Sequence, residues 1–209
     1  ATKAPSDMPS PLVSVLVPCY NAAPWLEETL RSALAQTHPN IEIILVDDGS
    51  TDGSADIASG IVSEKIKIIR QANSGQSAAL NLALRNARGE FIQYLDADDV
   101  LAPDKIERQL ALLSSIEPGW IASGEWARFT RKITEARFEP EPIWHDFSPV
   151  EWLVTSWRGG GMMHGAAWLL PRSIVDQAGP WSEDLTLAND FDYFCYVLLK
   201  SRGVKFCPG

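Results

Sequence analysis

Cysteine is scarce, with three in 209 residues. Cys19, Cys195 and Cys207 leave one thiol unpaired in any disulfide scheme and match no zinc spacing. That excludes a disulfide-stapled secreted domain and points to a reducing, cytoplasmic compartment. Each is expected to act as a small buried apolar residue. Positive charge is also in deficit: 18 Lys and Arg stand against 27 Asp and Glu, a formal net charge of −9. This excludes nucleic-acid binding by a broad basic face and suits a site that holds a cation between carboxylates. No apolar run approaches the roughly 18 residues of a spanning helix. The chain also lacks a Gly-Lys-Ser/Thr phosphate loop, a dinucleotide glycine pattern at the first turn, a paired-Cys motif and a Ser/His/Asp arrangement. Residues 1–11 are polar, carry three prolines and have neither the basic start nor the apolar middle of a signal peptide. They read as a flexible leader.

What is present is enough for a sizeable core: 45% of residues are hydrophobic and 22% charged. With no internal repeat or low-complexity block, residues 12–209 read as one domain, with a first half to about residue 100 and a second half beyond it. The first half alternates strand and helix signals. Leu12–Pro18, Ile41–Val46, Ile66–Ile69 and Phe91–Leu95 are short apolar runs rich in β-branched residues. Between them Leu26, Leu30 and Leu34 follow Pro24 at helical spacing, and Ala55–Val62 and Ser77–Asn86 read as helices. Pro103 begins another helix, with Ile106, Leu110 and Leu113 on one face. Such alternation predicts an α/β fold, a mostly parallel central sheet with helices on both faces. The second half is less regular. Trp120–Phe129 and Ala166–Leu170 read as strands, Thr130–Asp146 as a loop, and Pro149–Ser156, Pro171–Gln177 and Asp190–Lys200 as helices. The glycines in Arg158–Met163 require flexibility or close packing.

In parallel sheets ligands bind beyond the carboxyl ends of the strands. Three polar segments fall there: Pro18–Asn21, Asp47–Asp52 and Asp96–Asp99. Asp96-Ala97-Asp98-Asp99 puts three carboxylates in four residues, which repel one another unless a hard divalent cation offsets them. A turn with Asp99 or Asp104 as helix cap explains the same letters. In Asp47–Gly53, Gly and Ser permit close backbone approach and a carboxylate can accept from a base or ribose; a solvated turn is the alternative. Tyr20 could lie against a nucleobase or sit at the core edge. Asp190, preceded by Asn189, is a candidate general base or a first-turn helix charge. His164 is a candidate acceptor contact or a structural hydrogen-bonder. An exposed member of the second half's tryptophans could stack on a sugar ring.

Together and in order, VSVLVPCYNAAPWLEETLRSALAQT, IEIILVDDGSTDGS, NSGQSAALNLALRNARGEFIQYLDADDVLAPDKIERQL and GPWSEDLTLANDFDYFCYVLL resemble the family-2 glycosyltransferases. The likeness runs from about Val13 to Lys200. It implies the GT-A fold, Rossmann-like, and an inverting sugar transfer from a nucleoside-diphosphate sugar. The first half would then bind the nucleotide and the second the acceptor. Tyr20 would stack on the base, usually uracil, and Asp48 would hydrogen-bond it in a pocket shaped by Asp47, with Pro18 and Asn21 at the entry turn. Asp98 would contact a divalent cation, Mn2+ or Mg2+, and Asp96 the ribose or a metal-bound water. Asp190 would be the base, with His164 and Asn189 on the acceptor side. The implied acceptor is a glycan or lipid-linked sugar, in surface polysaccharide synthesis at the inner face of the membrane, with peripheral association. Three departures stand out. Asn189 replaces the usual Glu, Leu80 replaces the usual Arg, and the Gln-x-x-Arg-Trp string of processive synthases is absent, which implies single additions. The rival readings are a degenerate nucleotide-sugar or glycan-binding module and a sugar nucleotidyltransferase. The latter expects a glycine-rich basic loop after the first strand, where this chain has Asn21-Ala22-Ala23-Pro24.

Overall fold

The longest apolar runs form the centre of the sheet. In the structure, a computed structural model that describes residues 10–162 and 164–209, β1 (Val13–Cys19) and β2 (Ile41–Asp47) are buried along their whole length. Strands covered on both faces read as continuous rather than alternating hydrophobic runs. β3 (Ile66–Arg70) and β4 (Phe91–Tyr94) complete the parallel set, and β6 (Leu170–Pro171) adds an antiparallel edge. The strand order is β3-β2-β1-β4-β6. The chain therefore moves outward from β1 on one side, then returns to its other side with β4. The loops leaving β1 and β4 diverge from adjacent strand ends and open a crevice between them.

Helices α1 (Leu26–Leu34), α2 (Ser54–Gly60), α3 (Gln76–Asn86) and α4 (Lys105–Ser114) match the expected segments to within two residues. Leu26, Leu30 and Ala33 of α1 pack with the odd-numbered side chains of β1, and Ala79, Leu80 and Ala83 of α3 pack with Leu16 on the other face. At the amino ends of the strands a polar lattice locks the sheet. Ser14 Oγ donates to Glu42 Oε1 at 2.7 Å, Gly89 N donates to Ser14 Oγ at 2.8 Å, and Arg88 donates through N and Nε to Glu42. Gly89 is obligatory here, since a Cβ would lie 2.5 Å from Ser14 N.

The second half departs from expectation in three places. Trp120–Phe129 is strand only over β5 (Trp120–Gly124), which pairs in parallel with β7 (Gly203–Cys207) in a separate two-stranded sheet. β7 was not foreseen, because Lys205 interrupts a short run. Only the end of Ala166–Leu170 is paired as a strand: Gly165–Ala167 is a 3-10 turn, Leu169 makes an antiparallel bridge to Ala122 of β5, and Leu170 enters the central sheet. The reason is local. The carbonyls of Ala166, Ala167 and Trp168 are taken by three side chains, Gln93 Nε2 at 3.0 Å, Gln109 Nε2 at 2.9 Å and Lys105 Nζ at 2.8 Å, instead of by a neighbouring strand. Gly159 and Gly160 end a π-turn, Ser156–Gly160, after α5 (Pro149–Thr155), Gly161 follows it, and Met163 is outside the described residues. α6 (Arg172–Ala178) and α7 (Asn189–Lys200) follow as expected.

The expected leader falls on residues outside the description up to residue 9; Ser10 and Pro11 are held by Asn40 Nδ2 at 2.6 Å and His38 Nε2 at 2.9 Å through their carbonyl oxygens. The cysteines are unpaired thiols, two buried and Cys195 half-buried. Among the described residues no helix is long and apolar enough to cross a membrane.

Candidate functional site

The crevice between the β1 and β4 loops is a cleft of about 510 Å3 lined by Pro18, Tyr20, Asn21, Asp48, Asp96 and Asp98, together with Trp25, Asn73 and Gln76. The three polar segments picked out by sequence thus contribute to one cavity. Tyr20 is 55% exposed and Trp25 50%, so two aromatic faces are open at its wall.

The turn after β2 is built by its own carboxylates. Asp47 Oδ1 accepts from Ser50 N at 2.9 Å and its Oδ2 lies 3.2 Å from Arg70 Nε. Asp47 holds the turn and does not line the cleft. Asp48, buried, accepts from Gln71 Nε2 and Ser74 N on Oδ1 and from Gly75 N on Oδ2, at 2.7 to 2.8 Å. One lone pair of Oδ2 remains for a further donor. Gly49 is required not for a ligand but for the chain: its φ is +78°, and a Cβ would lie 2.9 Å from Asn73 N. Asn21 adopts a positive φ of 51°, tolerated by Asn. Its side chain accepts from Thr51 N at 2.9 Å, tying the β1 loop to the β2 loop.

The base candidate is positioned by aromatic packing, although neither Asp190 nor Asn189 is among the cleft-lining residues. Tyr94, the last residue of β4, shares a 2.7 Å hydrogen bond with Tyr193 Oη, and Tyr193 stacks on Trp181 at 4.0 Å between centroids. Asp96 lies two residues beyond Tyr94 and Asp190 one helical turn before Tyr193, so pinning the tyrosines brings the carboxylates toward one another. Asn81 Nδ2 donates to Trp181 O and Glu183 Oε1, and Trp181 N donates to Asn81 Oδ1, which fixes the segment entering α7. Asn189 Nδ2 donates to Gln76 Oε1 at 3.2 Å, and Gln76 Nε2 to Asp96 Oδ1 at 2.9 Å. A chain of amides therefore links the start of α7 to the acidic turn. Leu80 is buried in the core and is not among the cleft-lining residues.

The electrostatics register the crowding. Burial, then repulsion from Asp99, Asp190 and Asp98, pushes the Asp96 carboxyl up to about 7, against the Gln76 hydrogen bond. Burial raises Asp190 too, with the His164 imidazole pulling it back down. Asp99 is raised by burial and lowered by His164, whose Nε2 stands 3.5 Å from its Oδ2. His164 is itself stacked on Trp126 at 5.2 Å. Gln76 and the Asp48 partners were missed as site residues by sequence reasoning, and Asp99, counted there among the three carboxylates, gave no sign of pairing with His164 across 65 positions. Trp157, 58% exposed, stacks on Phe191 beside Asp190.

Among the described residues no three His, Cys, Asp or Glu side chains converge to cage a metal unaided. Asp96 and Asp98 nonetheless fit a Mg2+ or Mn2+ ion, because such ions take one or two carboxylates and complete their shell with phosphate oxygens and water.

The chain matches the model described as glycosyl transferase family 2 over residues 14–178. A Rickettsia felis protein described as an uncharacterized glycosyltransferase is 32% identical over 199 residues, covering 93% of this chain and 32% of that protein. The chain thus spans about a third of that relative's length. A Bacillus subtilis protein named as a teichuronic acid biosynthesis glycosyltransferase is 44% identical over 106 residues, 49% of this chain and 42% of the other. Staphylococcus aureus TarS, solved with UDP-GlcNAc, superposes with a TM-score of 0.78 at 20% identity, over 93% of this chain and 55% of that one. A Pyrobaculum calidifontis mannosyltransferase, solved with GDP-Man and Mn2+, gives 0.68 at 23% identity, over 95% and 55%. These likenesses establish the fold, a GT-A α/β architecture with a mostly parallel central sheet.

Proposed function

Because the chain belongs to glycosyl transferase family 2, we propose that it moves a sugar from a nucleoside-diphosphate sugar to an acceptor hydroxyl with inversion, using Asp190 as general base. The observation that carries this reading is a cleft that presents Asp96 and Asp98 together with Tyr20 and Asp48, with Asp99 and Asp190 outside its lining yet near enough to repel the Asp96 carboxyl. Tyr20 stacks on the base, and Asp48 offers it a carboxylate oxygen while its other bonds keep the carboxylate fixed. Asp96 and Asp98 would hold a divalent ion, which would supply positive charge to offset the departing diphosphate. The acceptor oxygen forms its bond to the anomeric carbon as the bond to phosphate breaks; the electron pair leaves with the diphosphate and the proton passes to Asp190. Attack from the face opposite the diphosphate inverts the centre. Burial, by raising Asp190, makes it a stronger base than a surface carboxylate.

UDP-sugars are the expected donors, with GDP-sugars as the comparison. The acceptor is a glycan or lipid-linked sugar in surface glycan synthesis, met at the inner face of the membrane by peripheral association. The TarS and mannosyltransferase complexes support a nucleotide-sugar donor, and the Bacillus relative supports the pathway class. Asp190→Asn is expected to lose transfer by about 10²- to 10⁴-fold while UDP affinity by calorimetry stays within about twofold of wild type. Unchanged turnover would remove Asp190 from the role. Asp98→Ala is expected to weaken UDP binding in Mn2+ and to erase the difference between Mn2+ and EDTA. Equal affinities in wild type with and without EDTA would exclude a metal-bridged diphosphate.

A further inference from the structure

On the far side of the Asp96–Asp99 turn lies a second cavity, of about 140 Å3, which shares no lining residue with the donor cleft. Leu101, Ala102, Phe129, Phe138 and Ala166 contribute to walls that are predominantly apolar. Asp99 and His164 also line it, the pair whose His164 charge reaches Asp190. The cavity therefore adjoins the neighbourhood of the base while lying apart from the nucleotide.

Six polar side chains also line it: Asp99, Lys105, Arg108, Gln109, Glu125 and His164, of which Arg108 donates to the Pro208 carbonyl and pairs with Asp104. Lys105 donates to Gln93 Oε1 and to the Trp168 carbonyl, so two of its N–H groups are spent within the chain. Gln109 is 1% exposed. Its Nε2 is spent on the Ala167 carbonyl, whereas its Oε1 is buried without a partner. His164 Nδ1 is likewise buried and unpartnered. A buried acceptor left unmet is costly and is ordinarily matched by a donor. The volume sets the size of the occupant, because an apolar protein cavity of about 150 Å3 takes up one benzene.

We propose that this cavity is an acceptor subsite for an apolar group of about one six-membered ring, carrying a hydroxyl or N–H that answers Gln109 Oε1. The acceptor is then a sugar bearing a ring-sized apolar substituent, seated with its nucleophilic hydroxyl toward Asp190. The proposal rests on the glycosyl-transfer reading.

Two measurements test it separately. Benzyl alcohol titrated into the 15N-labelled chain should give saturable shifts at the amides of Gly124, Trp126, Ala166 and Ala167, and Ala102→Phe, which fills the space, should abolish them. In transfer assays with matched methyl and benzyl glycosides of each candidate sugar, the benzyl acceptor should have a KM about tenfold lower. Ala102→Phe and the exposed-wall variant Phe138→Ser should bring that ratio to about one and leave donor hydrolysis without acceptor unchanged. A flat titration overturns the subsite, as does a benzyl preference that survives in both variants. Donor hydrolysis that proceeds normally alongside either result leaves the transfer reading standing. A protein that binds benzyl alcohol yet turns over no donor loses the transfer reading, and the acceptor assignment with it.

Discussion

Asp96 is the residue at which stability and function pull in opposite directions. An acid whose pKa is higher folded than unfolded binds its proton more tightly in the native state. Its contribution to stability is therefore greatest at low pH and falls as pH rises, here from its ordinary 3.8 to about 7. Above that window the ionised carboxylate sits buried beside Asp99, Asp190 and Asp98. Asp96→Asn should therefore melt higher than wild type at pH 8 in EDTA, by about 1–2 kcal/mol, with the advantage gone at pH 4. A variant less stable than wild type at pH 8 would mean that the repulsion is already relieved within the chain. This tension was partly legible beforehand, since three carboxylates in four residues after an apolar run signal crowding. The contribution of Asp190 was not, because it depends on a helix that starts about ninety positions later. Gly49 shows the opposite limit: its need for a left-handed backbone is local and readable, but the Asn73 amide that forbids a side chain is not.

At the scale of elements, the aromatic clamp between β4 and α7 positions the proposed base. Tyr94 and Tyr193 satisfy one another's hydroxyls in a buried setting, and burial pushes the Tyr94 phenol up to about 12, so it stays neutral at any working pH. Tyr193→Phe leaves the Tyr94 hydroxyl without that partner and should cost about 1–3 kcal/mol; the double change to Phe at both positions should cost less than the sum of the single changes. Urea unfolding in a double-mutant cycle measures this, and strict additivity would show that the two hydroxyls do not depend on each other. The strands and helices of the first half were readable because each satisfies its own pattern: a continuous apolar run for a doubly covered strand, leucines at helical spacing for α1. The Gly165–Ala167 turn was not, because the carbonyls of Ala166 and Ala167 are met by Gln93 and Gln109, side chains from other elements, and Lys105 takes that of Trp168 just beyond it. β7 escaped notice for a related reason, as its partner β5 lies some eighty residues earlier and Lys205 breaks the pattern that would mark it.

For the whole molecule, the expected parallel architecture put the polar loops at one edge of the sheet, and the structure gathers three of them into one cleft. A ligand that binds the folded chain alone stabilises it by mass action. UDP with Mn2+ at about one hundred times its dissociation constant should add about 2.7 kcal/mol, or about 5–10 °C in melting temperature for a chain of this size, and EDTA should cancel most of the gain. No shift with the pair present would argue against the cleft as a nucleotide site. The second cavity, proposed for the acceptor, was the least legible part of the molecule, since its walls come largely from irregular segments whose meeting depends on tertiary packing.

The Ser14–Glu42–Arg88 lattice sits at the opposite pole of the sheet from the acidic turn, a strand length of about 20 Å away. Fold security and chemistry therefore occupy separate ends of the same strands. A variant hardened at the lattice end would give latitude for exploratory substitutions around the cleft, so donor and acceptor preferences could be rewritten on a scaffold that stays folded throughout.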